Sequence, residues 1–143
     1  MEFYIYIFVA LLLVVAIFLV VYVFSKRSGG RKLAEKDQQY VSAHWYRILD
    51  SFNHSPSAAV LDADKLLDYC LAKRGGKKFN GLPLGEKLKK GQAYFSDVDG
   101  VWFAHKMRNQ IAHELHVKIS LDDAKRALSA YKRALMDLGV KLG

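Results

Sequence analysis

Two kinds of hydrophobic pattern divide the chain. Residues 3–24 are an unbroken run of Phe, Tyr, Ile, Val, Leu and Ala. As a helix rising about 1.5 Å per residue they reach about 33 Å, enough for a bilayer core of about 30 Å. From Leu33 onward apolar residues recur at helical spacing among polar ones, the mark of amphipathic helices that bury one stripe. The spacing predicts a first helix over 33–54, with Val41, Trp45, Ile48, Leu49 and Phe52 on one face. Ser55 and Pro56 then form an N-cap and first-turn pair. The helix they start runs to about Lys73, with Ala59, Ala63, Leu66, Leu67 and Cys70 as its stripe. Asp62, Asp64 and Asp68 fall off that stripe and are expected on a solvated face. A short helix is expected over 83–90, stopped near Gly91, and then an irregular stretch over 92–96 with Tyr94 and Phe95 turned inward.

The central helix is predicted over 101–116, capped by Ser96 or Asp97. Its apolar arc carries Val101, Ala104, Met107, Ile111, Ala112 and Leu115. After a brief connection, Ser120 and Asp123 have the spacing of a capping box. They open a last helix whose stripe is Leu121, Ala124, Leu128, Tyr131, Leu135 and Leu138, ended at Gly139. No alternation of strand type and no internal repeat is present. The expected fold is therefore all-α: one N-terminal transmembrane helix, then a bundle of four to five helices.

Charge gives the apolar run a direction. Only Glu2 among the charged residues precedes Ser25, whereas Lys26, Arg27, Arg31 and Lys32 follow the run directly. The positive-inside rule then places the N-terminus outside and the remainder in the cytoplasm, as a single-pass protein of the inner membrane. A cleaved signal peptide fits poorly, because a basic leading segment and a small-residue cleavage site are both missing. The expected organisation is an anchor over 1–24, a basic juxtamembrane linker over 25–32 with Gly29 and Gly30 as its flexible point, and a helical domain over 33–143. The four cations are also expected to touch anionic headgroups. The formal net charge of the whole chain is +8, a balance that favours polyanions such as RNA or an anionic lipid surface. The single cysteine, Cys70, excludes an intrachain disulfide and falls on an apolar stripe, where it reads as a small hydrophobe.

Two stretches carry candidate chemistry. Arg74, Gly75, Gly76, Lys77 and Lys78 make a basic, glycine-bearing loop able to offer N–H groups and cations to a phosphate, although it lacks the P-loop pattern. The central helix carries a polar stripe of His105, Asn109, His113 and His116 beside Arg108. With Arg74, Lys77 and Lys78, His105 and His116 are the expected nucleic-acid contacts. Histidines four apart can bind zinc, but no acidic or thiol ligand is spaced to complete a set, so neither metal nor cofactor is expected. An arginine and a histidine close in sequence suit metal-free phosphodiester chemistry instead. The imidazole serves as general acid or base near neutral pH, and the guanidinium grips a phosphate by paired hydrogen bonds. Asn109, one turn before His113, is placed to orient that ring.

The motif Arg108, Asn109, Ala112, His113, late in a helical chain, resembles the signature of the HEPN superfamily, Arg-x4–6-His with a polar residue after the arginine. The likeness covers roughly residues 33–140. It implies an antiparallel helical bundle, frequent homodimers and, in many members, metal-independent RNase activity. Arg108 and His113 would be the catalytic pair, with Asn109 supporting. The implied reaction is attack of a ribose 2′-OH on the adjacent phosphorus, leaving a 2′,3′-cyclic phosphate and a free 5′-OH. A non-catalytic, membrane-anchored module for protein or lipid interaction is the alternative. On an ideal helix Arg108 and His113 point about 140° apart, so they meet only if the helix loosens near Ala112 or a second protomer completes the site.

Overall fold

The computed structural model describes the backbone of residues 2–28, 32–114 and 118–143, with the side chains of 3–23 within the first of these. Helices account for most of them, and no strand occurs among the described residues. The chain divides into two compact units, Met1–Gly30 and Arg31–Gly143.

The first unit is one helix, α1 (Glu2–Ser28). Its segment Phe3–Val23 is long and apolar enough to cross a membrane, and none of it is buried. The helix does not stop at the apolar boundary. It continues through Lys26 and Arg27 to Ser28, so the expected linker is helical in its first half. Gly29, Gly30 and Arg31 lie outside the described residues, whereas Lys32 is exposed.

The second unit holds α2 (Glu35–Phe52), α3 (Pro56–Gly75), α4 (Leu84–Lys90), α5 (Val98–His113) and α6 (Leu121–Asp137), with 3₁₀ turns at Gly76–Phe79 and Gln92–Tyr94. Helix α3 is the hub, packed against α2, α5 and α6. It starts where the Ser55–Pro56 pair predicts, with the Ser55 hydroxyl accepting from the Ala58 N–H at 3.4 Å. Its whole predicted stripe is buried, together with Val60 and Leu71. It stops at Gly76, whose φ of 53° is a left-handed conformation that a side chain rarely adopts.

Helix α6 is held at both ends. The Ser120 hydroxyl accepts from the Asp123 N–H at 3.0 Å. At the other end Gly139 (φ 93°) lets its N–H reach Met136 O while the Val140 N–H reaches Leu135 O, the paired bonds of a Schellman ending. Val140 and Leu142 then fold back into the core.

Among the described residues three predicted apolar positions depart from the periodicity; Leu115, also expected on the apolar arc, lies outside them. Leu49, Leu121 and Ala112 are exposed. Leu121 opens α6 and Ala112 lies in the last turn of α5, where fewer neighbouring helices remain to cover them. On α2, which packs against α3, the buried apolar positions are Val41, Trp45 and Ile48.

Candidate functional site

Asp64 is the residue around which the polar interior is built. It was expected in solvent, yet it is 4% exposed. A carboxylate cannot be buried cheaply unless its charge and lone pairs are met, and three side chains meet them. From α6, Tyr131 donates its hydroxyl to Oδ1 at 2.9 Å. From α5, the His105 Nδ1–H donates to the same oxygen at 2.8 Å. Also from α5, Arg108 Nε stands 3.2 Å from Oδ2, an ion pair off the line of a hydrogen bond. Burial first, and then the Asp64 charge, pushes the Tyr131 hydroxyl well above its ordinary pKa, so it stays a donor throughout the physiological range.

The contacts continue around a closed ring. With Nδ1–H committed to the carboxylate, His105 Nε2 is an acceptor and faces the Asn109 amide nitrogen at 3.4 Å. Asn109 Oδ1 in turn accepts from an Arg108 terminal nitrogen at 3.0 Å, and Arg108 returns to Asp64. The helical repeat explains how α5 does this: His105, Arg108 and Asn109 stand at i, i+3 and i+4, one above another on one face.

The ring borders a groove of about 380 Å³ whose wall includes Asp64, Lys65, Asp68, His105, Arg108 and Asn109, closed on one side by Pro83, Leu84 and Gly85. Beside it Lys87, itself buried, pairs with Asp68 at 2.8 Å. Of the three α3 carboxylates expected in solvent, Asp62 is exposed and pairs with exposed Lys65, Asp68 is partly exposed, and Asp64 alone is buried. Among the described residues no group of three His, Cys, Asp or Glu is placed to hold a metal ion.

The other predicted site residues scatter. Helix α5 is regular through His113, so no loosening near Ala112 turns His113 toward Arg108. His113 is exposed in the last turn and absent from the groove wall. Asn109, expected to orient His113, bonds His105 and Arg108 instead. His116 lies outside the described residues. Lys77 and Lys78 are exposed in the 3₁₀ turn, with the Lys78 ammonium 5.6 Å from the Phe79 ring centre. Arg74 is buried, unlike a phosphate contact in a loop. It donates to Leu138 O at the C-terminus of α6 at 3.0 Å and lies over the Tyr94 ring. A cation there meets the negative end of the helix dipole.

Sequence reasoning missed two members of the polar centre, Asp64 and Tyr131. Tyr131 was read as one more apolar residue on the α6 stripe. A hydroxyl in the middle of an otherwise aliphatic and alanine stripe was the available signal, since a buried phenol calls for a partner. Compared with family models, with curated proteins and with solved structures, the chain finds no match in any of the three.

Proposed function

We propose that this chain is a membrane-tethered, HEPN-like RNA-binding domain acting as a metal-independent endoribonuclease. Helix α1 anchors it in the inner membrane with the helical domain on the cytoplasmic side. Lys26, Arg27, Arg31 and Lys32 fix that orientation and meet anionic headgroups. The observation that carries the reading is the placement of Arg108. Its guanidinium is braced by Asp64 beside Nε and by Asn109 at one terminal nitrogen, and the side chain still borders an open groove. A guanidinium so braced is pre-set to receive a phosphate on its remaining N–H groups and to stabilise charge developing on it.

The general base is His113. Because α5 is a regular helix there, His113 joins Arg108 only from a second copy of the chain, so the active form is a homodimer. In each composite site the imidazole of one protomer takes the proton of the ribose 2′-OH. The 2′ oxygen bonds to phosphorus, the bond to the 5′ oxygen breaks, and that oxygen takes a proton from water, which the imidazolium restores.

The test uses the full chain in detergent micelles with chelator present. Expected are cleavage of single-stranded RNA to 2′,3′-cyclic phosphate ends and its abolition by Arg108→Ala or His113→Ala. Mixing the two inactive variants returns about a quarter of the wild-type rate, from one intact site in half of the dimers. Activity lost in His105→Ala but kept in His113→Ala overturns the assignment of the base.

A second reading has its own support. Asp64, His105, Asn109 and Arg108 satisfy one another in a closed ring, as a purely architectural clasp would. On that reading the chain is a non-catalytic, membrane-anchored interaction module. It binds anionic vesicles and neither binds nor cuts RNA. RNA binding that falls steeply with salt, without cleavage, identifies a binder that is not an enzyme.

A further inference from the structure

A second groove adjoins the first around α3. It has a volume of about 440 Å³ and runs between α2 and α3, with Tyr40, His44, Arg47, Lys65 and Tyr69 in its wall. Three of these are rings joined through Tyr40. Tyr40 is central, with the His44 ring centre 4.0 Å away and tilted by 35°, and the Tyr69 ring centre 4.9 Å away at 42°. The rings are held in place from behind. His44 Nδ1 is 3.0 Å from Tyr40 O, and the Tyr69 hydroxyl donates to Asp37 at 2.6 Å. Yet Tyr40 itself is 45% exposed. An aromatic cluster braced on one side and open on the other is a stacking surface whose ordering cost is already met by the fold.

The wall charges select the occupant. Arg47 is exposed and has no acidic partner among the described residues, whereas Lys65 stands against Asp62. Two cations against one carboxylate, beside stacked rings, match the chemistry of single-stranded nucleic acid: bases on aromatic faces, phosphates on cations. Lys65 belongs to the walls of both this groove and the Arg108 groove, so the two open on either flank of one lysine.

The geometry points to the Tyr40–His44–Tyr69 cluster as a base-stacking subsite for single-stranded RNA, seating a nucleobase that flanks the phosphate held at Arg108. This rests on the RNA reading above and adds to it where a base is bound. Lys65 carries the backbone between the two grooves.

The test is binding of a short single-stranded 2′-O-methyl RNA, which lacks the attacking hydroxyl, to the full chain in nanodiscs of neutral phosphatidylcholine. A 2-aminopurine is moved through each position of the strand, so that stacking is read as quenching of its fluorescence and affinity from its titration. The wild type is expected to quench the probe at one position. Tyr40→Ala, at an exposed site, is expected to lose that quench and to bind roughly five- to 150-fold more weakly, the span of one base–aromatic stack. Tyr40→Phe keeps both. If the wild type binds and Arg108→Ala weakens it, but Tyr40→Ala stays within twofold with its quench intact, the subsite is overturned and the RNA reading stands. Weakened binding with the quench unchanged in Tyr40→Ala likewise overturns it. No RNA binding by the wild type overturns both.

Discussion

Two tyrosine–carboxylate pairs are built into the helical domain, and they are put to different ends. At the α2–α3 contact, Tyr69 donates to Asp37 at 2.6 Å and Lys73 stands 3.6 Å from the same oxygen. Both donors come from α3, so this pair clips two helices, and it is complete in itself. At the junction of α3, α5 and α6, Tyr131 donates to Asp64, and His105 and Arg108 join from a third helix. That pair clasps three helices and passes its polar contacts on to the wall of a groove. A buried carboxylate met by a phenol is therefore a stitch in this fold. What sets the second pair apart is that its cation, Arg108, lines a groove wall, whereas Lys73, the cation of the first, lines neither groove.

The comparison breaks most sharply at Asp64. Replacing it by Ala leaves the buried Tyr131 hydroxyl without its acceptor and frees His105 and Arg108 from α3, and the expected cost is about 3–5 kcal/mol of unfolding free energy, read by urea titration of the full chain in micelles. A loss below about 1 kcal/mol would sink the three-helix clasp. Tyr131→Phe removes one donor and leaves two, so about 1.5–3 kcal/mol is expected for a bond to a charged group.

Tyr69→Phe sharpens the contrast through pH. The Tyr69 hydroxyl, ahead of Lys73, holds the Asp37 carboxyl below its ordinary 3.8. That contribution is complete above 3.8 and is lost as pH falls through the lower folded value. The same bond, followed by burial, pushes Tyr69 up from 10.0 to about 12. Its contribution is complete below 10 and is lost as pH rises toward 12. Melting temperatures of Tyr69→Phe should therefore fall less than wild type on both the acid and the alkaline limbs, with a smaller loss at neutral pH than in Tyr131→Phe. Parallel wild-type and variant limbs would count against the clip. Last, Lys65→Ala removes only an exposed pair with Asp62, and stability should stay within about 0.5 kcal/mol.

The helices themselves were legible because their signals are local. Ser55 with Pro56, Ser120 with Asp123, and the stripes of α3 and α6 lie within a turn or two of what they specify. The site was legible only in part, for the opposite reason. Asp64 meets Tyr131 and His105 across the bundle, at separations of 67 and 41 residues, and no helical period records such a pairing. Taken alone, an aspartate off the apolar stripe looks solvated. Arg74 was misread the same way, since its carbonyl partner lies at the far end of α6. Arg108 and Asn109 stood out because polar residues in an apolar helix are visible at once, but the periodicity could not say that Asn109 turns back to His105 and away from His113.

Cys70 closes the α3 stripe with no exposed surface, and burial, with a smaller push from Asp37, raises its thiol to about 12. Thiolate is the species that alkylating reagents attack, so the closed domain is silent to them. As the only sulfhydryl in the chain, it becomes a clock for transient opening of the helical domain. Its labelling rate times that opening in the full chain, with nothing contributed by the apolar helix.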